Sequence, residues 1–422
     1  MTHVLADFLC SATCPACGHH AAAAFFDGGQ QPLATIVWPG SSGEAQAMPR
    51  LPLDFMRCLD CGHVYNAAFN YVDVPYSDKF DKPNMMFNHG AIWGEHLRRV
   101  CELILAHVPA QPVIVEIGCG KGDLLRALAE LRPAGRYIGF DPGAGVISGN
   151  ARVEARQELF DPKVHLAECR PDMIVARHVF EHLISPLAFI QETAFSAAWL
   201  GQNDLKLFAE VPCIDRVFST GRTVDFFYEH NSHFTTHSFT NMLEKCSSQI
   251  ELIERGYGEE VIYGVARLGA KSDTSATASR KPRAEQLAEQ ANSFRDGAKQ
   301  AQQNIARQLA ELHASGKKTA IWGGIGKAAA FINFFGADAG RFPLVVDSDK
   351  DKVGTFVPGA GQLIRYRDYL LAHPVEVILI PSQWRTKDIL GEVARCGIQV
   401  ETVLIEHLGR LINYHTEPHP YA

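Results

Sequence analysis

Two pairs of cysteines share one spacing. Cys14 and Cys17 stand in C-P-A-C-G, and Cys58 and Cys61 stand in C-L-D-C-G. Each pair can present two thiolates to one ion from a tight turn, and the glycines that follow, Gly18 and Gly62, suit such turns. Four soft sulfur ligands in a tetrahedron are what a closed structural Zn²⁺ site takes, whereas a catalytic zinc needs an open position. The expectation is one structural zinc on Cys14, Cys17, Cys58 and Cys61. The pairs are separated by 40 residues, so a hairpin or loop must bring them together. The strand-like segment Thr35–Trp38 and the run Leu51–Met56 are the candidates. His19, His20 and His63 read as bystanders.

A second constellation lies at 113–125, V-I-V-E-I-G-C-G-K-G-D-L-L. An apolar strand, Val113–Val115, runs into Glu116 and then into Gly118, Gly120 and Gly122, with a helix expected from about Asp123. Glycines let a backbone turn sharply and lie close to a ligand. The acid stands two places before the first glycine, and this E-x-G-x-G-x-G pattern resembles motif I of class I S-adenosylmethionine (SAM) methyltransferases. A carboxylate there suits a sulfonium with an amino-acid tail better than a pyrophosphate, which wants positive potential. A strand Tyr137–Phe140 ends in Asp141, 25 residues after Glu116, where an acid can accept both ribose hydroxyls. A strand Pro171–Ala176 leads to Arg177 and His178, the further cofactor-binding candidates, and to Phe180, Glu181 and His182.

These groups need elements to hold them. The chain has 422 residues with 40 Lys plus Arg against 47 Asp plus Glu, a formal net charge of −7, which argues against nucleic acid as a partner. No apolar run approaches a membrane span, and the N-terminal residues lack a basic region followed by an apolar core, so a signal peptide is not expected. A cytoplasmic location with reduced thiols follows as the expectation for the 11 Cys. Four regions differ in pattern: a Cys-, Gly- and Pro-rich module at 1–72, alternating helix and strand at 73–270, a polar linker and long helix at 271–316, and a second alternation at 317–422. Within the third, Leu287, Ala291, Phe294, Ala298, Ala301, Ile305, Leu309 and Leu312 recur at helical spacing, interrupted in composition only by Gly297. The fourth opens with T-A-I-W-G-G-I-G-K, a strand, a glycine turn and a helix. Asp347 follows 21 residues after Gly326, a spacing that would pass for a dinucleotide site, although the glycine fingerprint is incomplete. Lys327 stands where it can meet a phosphate. The fold class is therefore α/β, a Rossmann-like SAM domain with a small zinc module before it and a second Rossmann-like unit after it.

The whole set of motifs resembles the three-domain bacterial sugar C-methyltransferases that act on nucleotide-linked deoxy sugars. The marks are the four Cys, E-I-G-C-G-K-G, A-R-H-V-F-E-H-L, E-V-P after a strand, F-F-Y-E-H-N-S-H-F-T, and W-G-G-I-G-K with V-V-D-S-D and V-P-G-A-G downstream. The resemblance implies a SAM-dependent enzyme whose small-molecule substrate is a nucleotide-linked keto sugar, with catalytic residues around the E-H segment. On this sequence those are Glu229 and His230. The family commonly has a tyrosine three places before the His. Here Phe227 holds that place and Tyr228 is next to it, so either Tyr228 has taken over or the hydroxyl is absent. Tyr76, in V-P-Y-S-D-K-F, is the candidate match for a further family tyrosine.

A histidine has an unperturbed pKa near 6.5 and suits a general base at neutral pH. Removal of a proton beside a ketone gives an enolate whose oxygen needs a donor, a role open to a Tyr hydroxyl. The expectation is methyl transfer to carbon with His230 as base. An O- or N-methyltransferase on a sugar or other small metabolite, and a SAM-binding or zinc-mediated interaction protein without chemistry, remain the alternatives.

Overall fold

The computed structural model describes residues 9–74, 90–143, 152–269 and 284–421. Tyr76 and the polar stretch 271–282 lie outside the described residues. The N-terminal module is an antiparallel meander of β1 (Leu9–Ser11), β2 (Ala21–Gln31), β3 (Leu51–Cys58) and β4 (Val64–Asn66). Register shifts in β2 break its strict alternation, so that Phe25 and Phe26 are both buried. The β2–β3 hairpin closes the distance between the two cysteine pairs. The run from Leu51 is a strand as expected, but residues 32–40 form none. Pro32 and Pro39 bracket that segment, and the N–H groups of Ala34, Thr35 and Ile36 bond the Glu229 carboxylate in place of a neighbouring strand.

The middle unit carries β5 (Val113–Ile117), β6 (Arg136–Phe140), β7 (Val153–Arg156), β8 (Met173–Arg177) and β9 (Lys206–Pro212). After β10 (Ser232–His233) come β11 (Ser247–Gly256) and β12 (Val261–Leu268). Seven of these form one sheet in the order β11-β12-β9-β8-β5-β6-β7. It is parallel except for β12, which runs antiparallel to both of its neighbours. The strands are apolar runs because helices cover both faces. The strand order reverses at β5, which places a ligand crevice at its carboxyl end.

β10 does not join that sheet. It pairs with β4, Ser232 opposite Tyr65 and His233 opposite Val64, and so completes the sheet of the N-terminal module.

The C-terminal unit holds β13 (Thr319–Trp322), β14 (Val345–Asp347), β15 (Ile364–Tyr366), β16 (Val377–Ile380), β17 (Thr402–His407) and β18 (Arg410–Asn413), in the order β15-β14-β13-β16-β17-β18. A single helix, Ala284–Ala314, joins this unit to the module. At about 1.5 Å per residue it is long enough to touch both. Leu287, Ala291 and Phe294 pack on the module, with Phe294 stacked on Phe25 at 4.4 Å, while Ile305 and Leu309 enter the core of the C-terminal unit. No helix among the described residues is long and apolar enough to cross a membrane.

Candidate active site and metal centre

The two cysteine turns are near copies of each other. Gly18 N–H donates to the Cys14 carbonyl at 2.9 Å and Gly62 N–H to that of Cys58 at 3.1 Å. Cys14 N–H donates to His19 O and Cys58 N–H to His63 O, both at 2.8 Å. Each turn requires its glycine, with φ +79° at Gly18 and +73° at Gly62. All four thiols are buried, and their sulfurs lie within 4.8 Å of one another. Cys14 Sγ is 3.8 Å from Cys61 Sγ, and Cys17 Sγ is 3.6 Å from Cys58 Sγ. Zn–S bonds of about 2.3 Å in a tetrahedron give sulfur separations of about 3.8 Å, so the residues fit the ion. His19 and His20 are exposed, whereas His63 is buried and its Nε2 lies 3.2 Å from Ser232 Oγ.

At the carboxyl end of β5 the chain turns through Gly118, Gly120 and Gly122, all at positive φ (+68°, +51° and +71°). Gly118 also has no room for a side chain, since a Cβ there would stand 2.8 Å from Val179. The helix Asp123–Leu131 follows. Asp141, just past β6, accepts from Gly120 N–H on Oδ2 at 2.9 Å and from Gly143 N–H on Oδ1 at 2.8 Å. Each oxygen retains a lone pair for a ligand hydroxyl. Glu116 is buried, and its Oε2 has no hydrogen-bond partner among the described residues. Burial pushes its carboxyl up to about 8, with Arg177 opposing the rise. A buried carboxylate oxygen without a donor fits the cationic end of SAM, and Asp141 fits its ribose.

Arg177 and His178 are committed to a buried cluster. Arg177 donates to Glu210 Oε1 at 3.1 Å from Nε and 2.9 Å from Nη2. His178 Nε2 stands 3.1 Å from the same oxygen, and its Nδ1 3.2 Å from Glu181 Oε1. His96 Nε2 reaches Glu210 Oε2 at 2.8 Å. Burial opposes charge on His178, yet Glu181 and Glu210 outweigh it and raise its pKa to about 9. These groups form the wall beside the glycine loop. His96 and Glu210 carried no role in the sequence. The E-V-P motif marked Glu210, but nothing in the spacing tied His96 to it.

The segment 222–231 runs through the junction of all three units, and consecutive side chains go to different places. Asp225 Oδ1 accepts from Lys327 Nζ of the C-terminal unit at 2.6 Å. Phe226 packs among Phe25, Phe55 and Phe294, and Phe227 in the C-terminal core. Tyr228 is buried, accepts from Asn70 N–H at 2.8 Å and donates to Asp73 Oδ2 at 3.2 Å. Glu229 Oε1 accepts from Ala34 N–H and Thr35 N–H at 2.7 Å, Thr35 Oγ1 at 3.0 Å and Ile36 N–H at 3.3 Å. Its carboxylate thus anchors the loop to the module. His230 turns back to the middle unit, its ring 4.8 Å from that of His182 and 4.2 Å from that of Phe227. Glu181, His182 and His230 converge, one nitrogen or oxygen of each lying within 4.8 Å of the others. Burial, then His182, His233, Lys327 and His178, hold the His230 imidazole well below its usual pKa.

The C-terminal glycine turn meets protein where a phosphate would lie. Gly326 N–H donates to Ala34 O at 2.7 Å, and Lys327 is taken by Asp225.

The sheet order, the glycine loop and its two acids define a class I SAM-dependent methyltransferase. Residues 92–246 match the family model of a methyltransferase domain, and residues 270–397 match that of the C-methyltransferase C-terminal domain. No curated protein matches the chain. Among solved structures, the human N-acetylserotonin methyltransferase in complex with SAM is similar at 13% identity and a TM-score of 0.33, over 42% of this chain and 53% of that one. The chain thus spans about half the length of that enzyme. The 1,6-didemethyltoxoflavin-N1-methyltransferase of Burkholderia thailandensis is similar at 16% identity and a TM-score of 0.32, over 42% and 81% of the two chains. A SAM-dependent methyltransferase from Aquifex aeolicus gives 14%, 0.30, 41% and 96%.

Proposed function

We propose that this enzyme methylates a carbon beside the ketone of a nucleotide-linked sugar, with His230 as general base and one structural zinc on Cys14, Cys17, Cys58 and Cys61. The observation that carries the reading is the position of His230, a neutral imidazole beside the ends of β8 and β9, on a loop fixed from three sides. SAM supplies an electrophilic methyl on a good leaving group. What the protein must add is alignment and removal of a proton. Glu116 and Asp141 hold the cofactor's cationic and ribose ends. Arg177 and His178, bound to Glu210, shape the wall between cofactor and acceptor. His230 takes the α-proton, and His182, with Nδ1 anchored 2.8 Å from Glu229 O, stands next to it. Glu229 positions the base through the backbone of its loop. Tyr228 gives its one proton to Asp73 Oδ2, which leaves Tyr76 as the candidate donor for an enolate oxygen. The C-methyltransferase C-terminal domain supports carbon over oxygen as acceptor.

The test is a reaction with SAM and a nucleotide-linked keto sugar, with the product examined by NMR. A new methyl on the carbon beside the ketone is expected. In the presence of S-adenosylhomocysteine and D₂O, the wild type exchanges that α-proton. Methyl ether formation without C–H exchange overturns the assignment.

A further inference from the structure

Arg222, Asp225 and Glu260 are nearly fully buried and form a charged cluster under the segment 222–231. Arg222 donates to Asp225 Oδ2 at 2.5 Å and Oδ1 at 3.0 Å, and to Glu260 at 3.0 and 2.6 Å. Two carboxylates and one guanidinium leave an excess of negative charge, which burial makes costly. Arg216 reaches Glu260 Oε1 only at 3.9 Å, and the cation that contacts Asp225 besides Arg222 comes from another unit. Lys327, at the start of the helix Lys327–Phe335, places Nζ 2.6 Å from Asp225 Oδ1 and 3.7 Å from Glu260 Oε2. The Trp384 ring lies 4.0 Å from Nζ and 5.0 Å from the Arg222 guanidinium, covering both.

We propose that Lys327 is a positioning residue for methyl transfer: through Asp225 it fixes the loop on which His230 stands. This rests on His230 as the base. The glycine turn of the C-terminal unit thus serves as a mount for a lysine that grips the catalytic loop. Four residues separate Asp225 from His230, and the His230 N–H closes a turn onto Phe227 O at 3.1 Å. A displacement of Asp225 therefore passes along a short, hydrogen-bonded path. Near-attack geometry is sensitive to shifts of about 1 Å, which can cost about 10²-fold in rate.

Lys327 also acts on His230 by charge. The groups facing that imidazole are His178, Glu181 and His182 from the middle unit, His233 on β10, the neighbouring Glu229, and Lys327 from the C-terminal unit. Lys327 opposes protonation of His230, so its removal moves the acid limb of the rate profile to higher pH.

The test compares Lys327→Met, Lys327→Arg, Asp225→Asn and His230→Ala in the full-length protein. Lys327→Met is expected to lower kcat by about 10²-fold with SAM affinity unchanged by calorimetry, and to shift the acid limb upward. Lys327→Arg restores both, because it keeps the charge against Asp225. Asp225→Asn lowers kcat without the upward shift of the limb, since Lys327 remains charged. Unchanged kcat and pH profile in Lys327→Met, with His230→Ala inactive, overturns the role of Lys327 while leaving the base in place. Full turnover in His230→Ala overturns the base, and with it the positioning role assigned to Lys327.

Discussion

The His182 imidazole stands edge-on to that of His230, with ring centroids 4.8 Å apart and planes at 79°. His182 is not loose. Its Nδ1 lies 2.8 Å from the Glu229 carbonyl, which can only accept, so Nδ1–H donates there. One backbone carbonyl thus sets the tautomer of one histidine while the next residue supplies the other.

Replacing His230 by Ala should lower turnover by roughly 10²–10⁴-fold, the size of a general-base contribution. SAM affinity should stay the same. Burial and the neighbouring cations hold the imidazole neutral, so the wild-type profile should not fall at the pH of an ordinary histidine. It should hold its plateau to lower pH, since the active form is the unprotonated one. A steady-state pH series checks this, and an acid limb at about 6.5 speaks against it.

Glu116 should couple SAM binding to proton release. Burial pushes its carboxyl up to about 8, which favours the protonated form near neutral pH. A cationic ligand favours the carboxylate, so binding should expel a proton and affinity should rise with pH until about 8. Calorimetry in two buffers of different ionisation enthalpy reads the proton directly. Glu116→Gln should abolish that proton and flatten the dependence.

Asp141→Ala should weaken SAM by about 1–3 kcal/mol through the lost bonds to the ribose hydroxyls. It also frees the Gly120 N–H that Asp141 now accepts. Equilibrium dialysis with labelled SAM measures both effects as one loss, and unchanged affinity would move the ligand away from this loop.

Freshly purified protein should carry one zinc per chain by elemental analysis. Cys58→Ser should lower that content and loosen the module, because Cys58 ends β3 and supplies both a ligand and a ladder residue opposite Ala22. Protein free of zinc when fresh would sink the assignment.

Glu229→Ala should cost about 2–5 kcal/mol of stability in denaturant unfolding, because several donors at 34–36 lose one shared acceptor. Turnover should drop with it, while Glu229→Gln, which keeps an acceptor oxygen, should fall between.

The glycine loop, both cysteine knuckles and the long apolar-faced helix were legible in the sequence because each is a local pattern. The positive φ values at Gly118, Gly120 and Gly122 and the buried row Leu287, Ala291, Phe294 follow from spacing alone. Asp225, Arg222 and Glu260 were not legible. Their partners lie up to 102 residues away, and a charge meeting another unit has no signature in its own neighbourhood. Lys327 was recognised as a cation at a helix start but not its counter-ion. The resemblance pairs Glu229 with His230, and the structure puts the Glu229 side chain on a backbone 193–195 residues earlier. The strand expected at Thr35–Trp38 gave way to the same contact.

The pairing of β10 with β4 joins residues 232–233 to residues 64–65. During synthesis, β1 to β4 and all four cysteines leave the ribosome long before that edge partner exists. Until then the β4 edge has no partner, and the module's core also waits for Phe226 and for Leu287 and Phe294 of the long helix. Its final sheet is then closed by the very segment that carries His230. Closure of that sheet and the placement of His230 beside His182 are therefore one event.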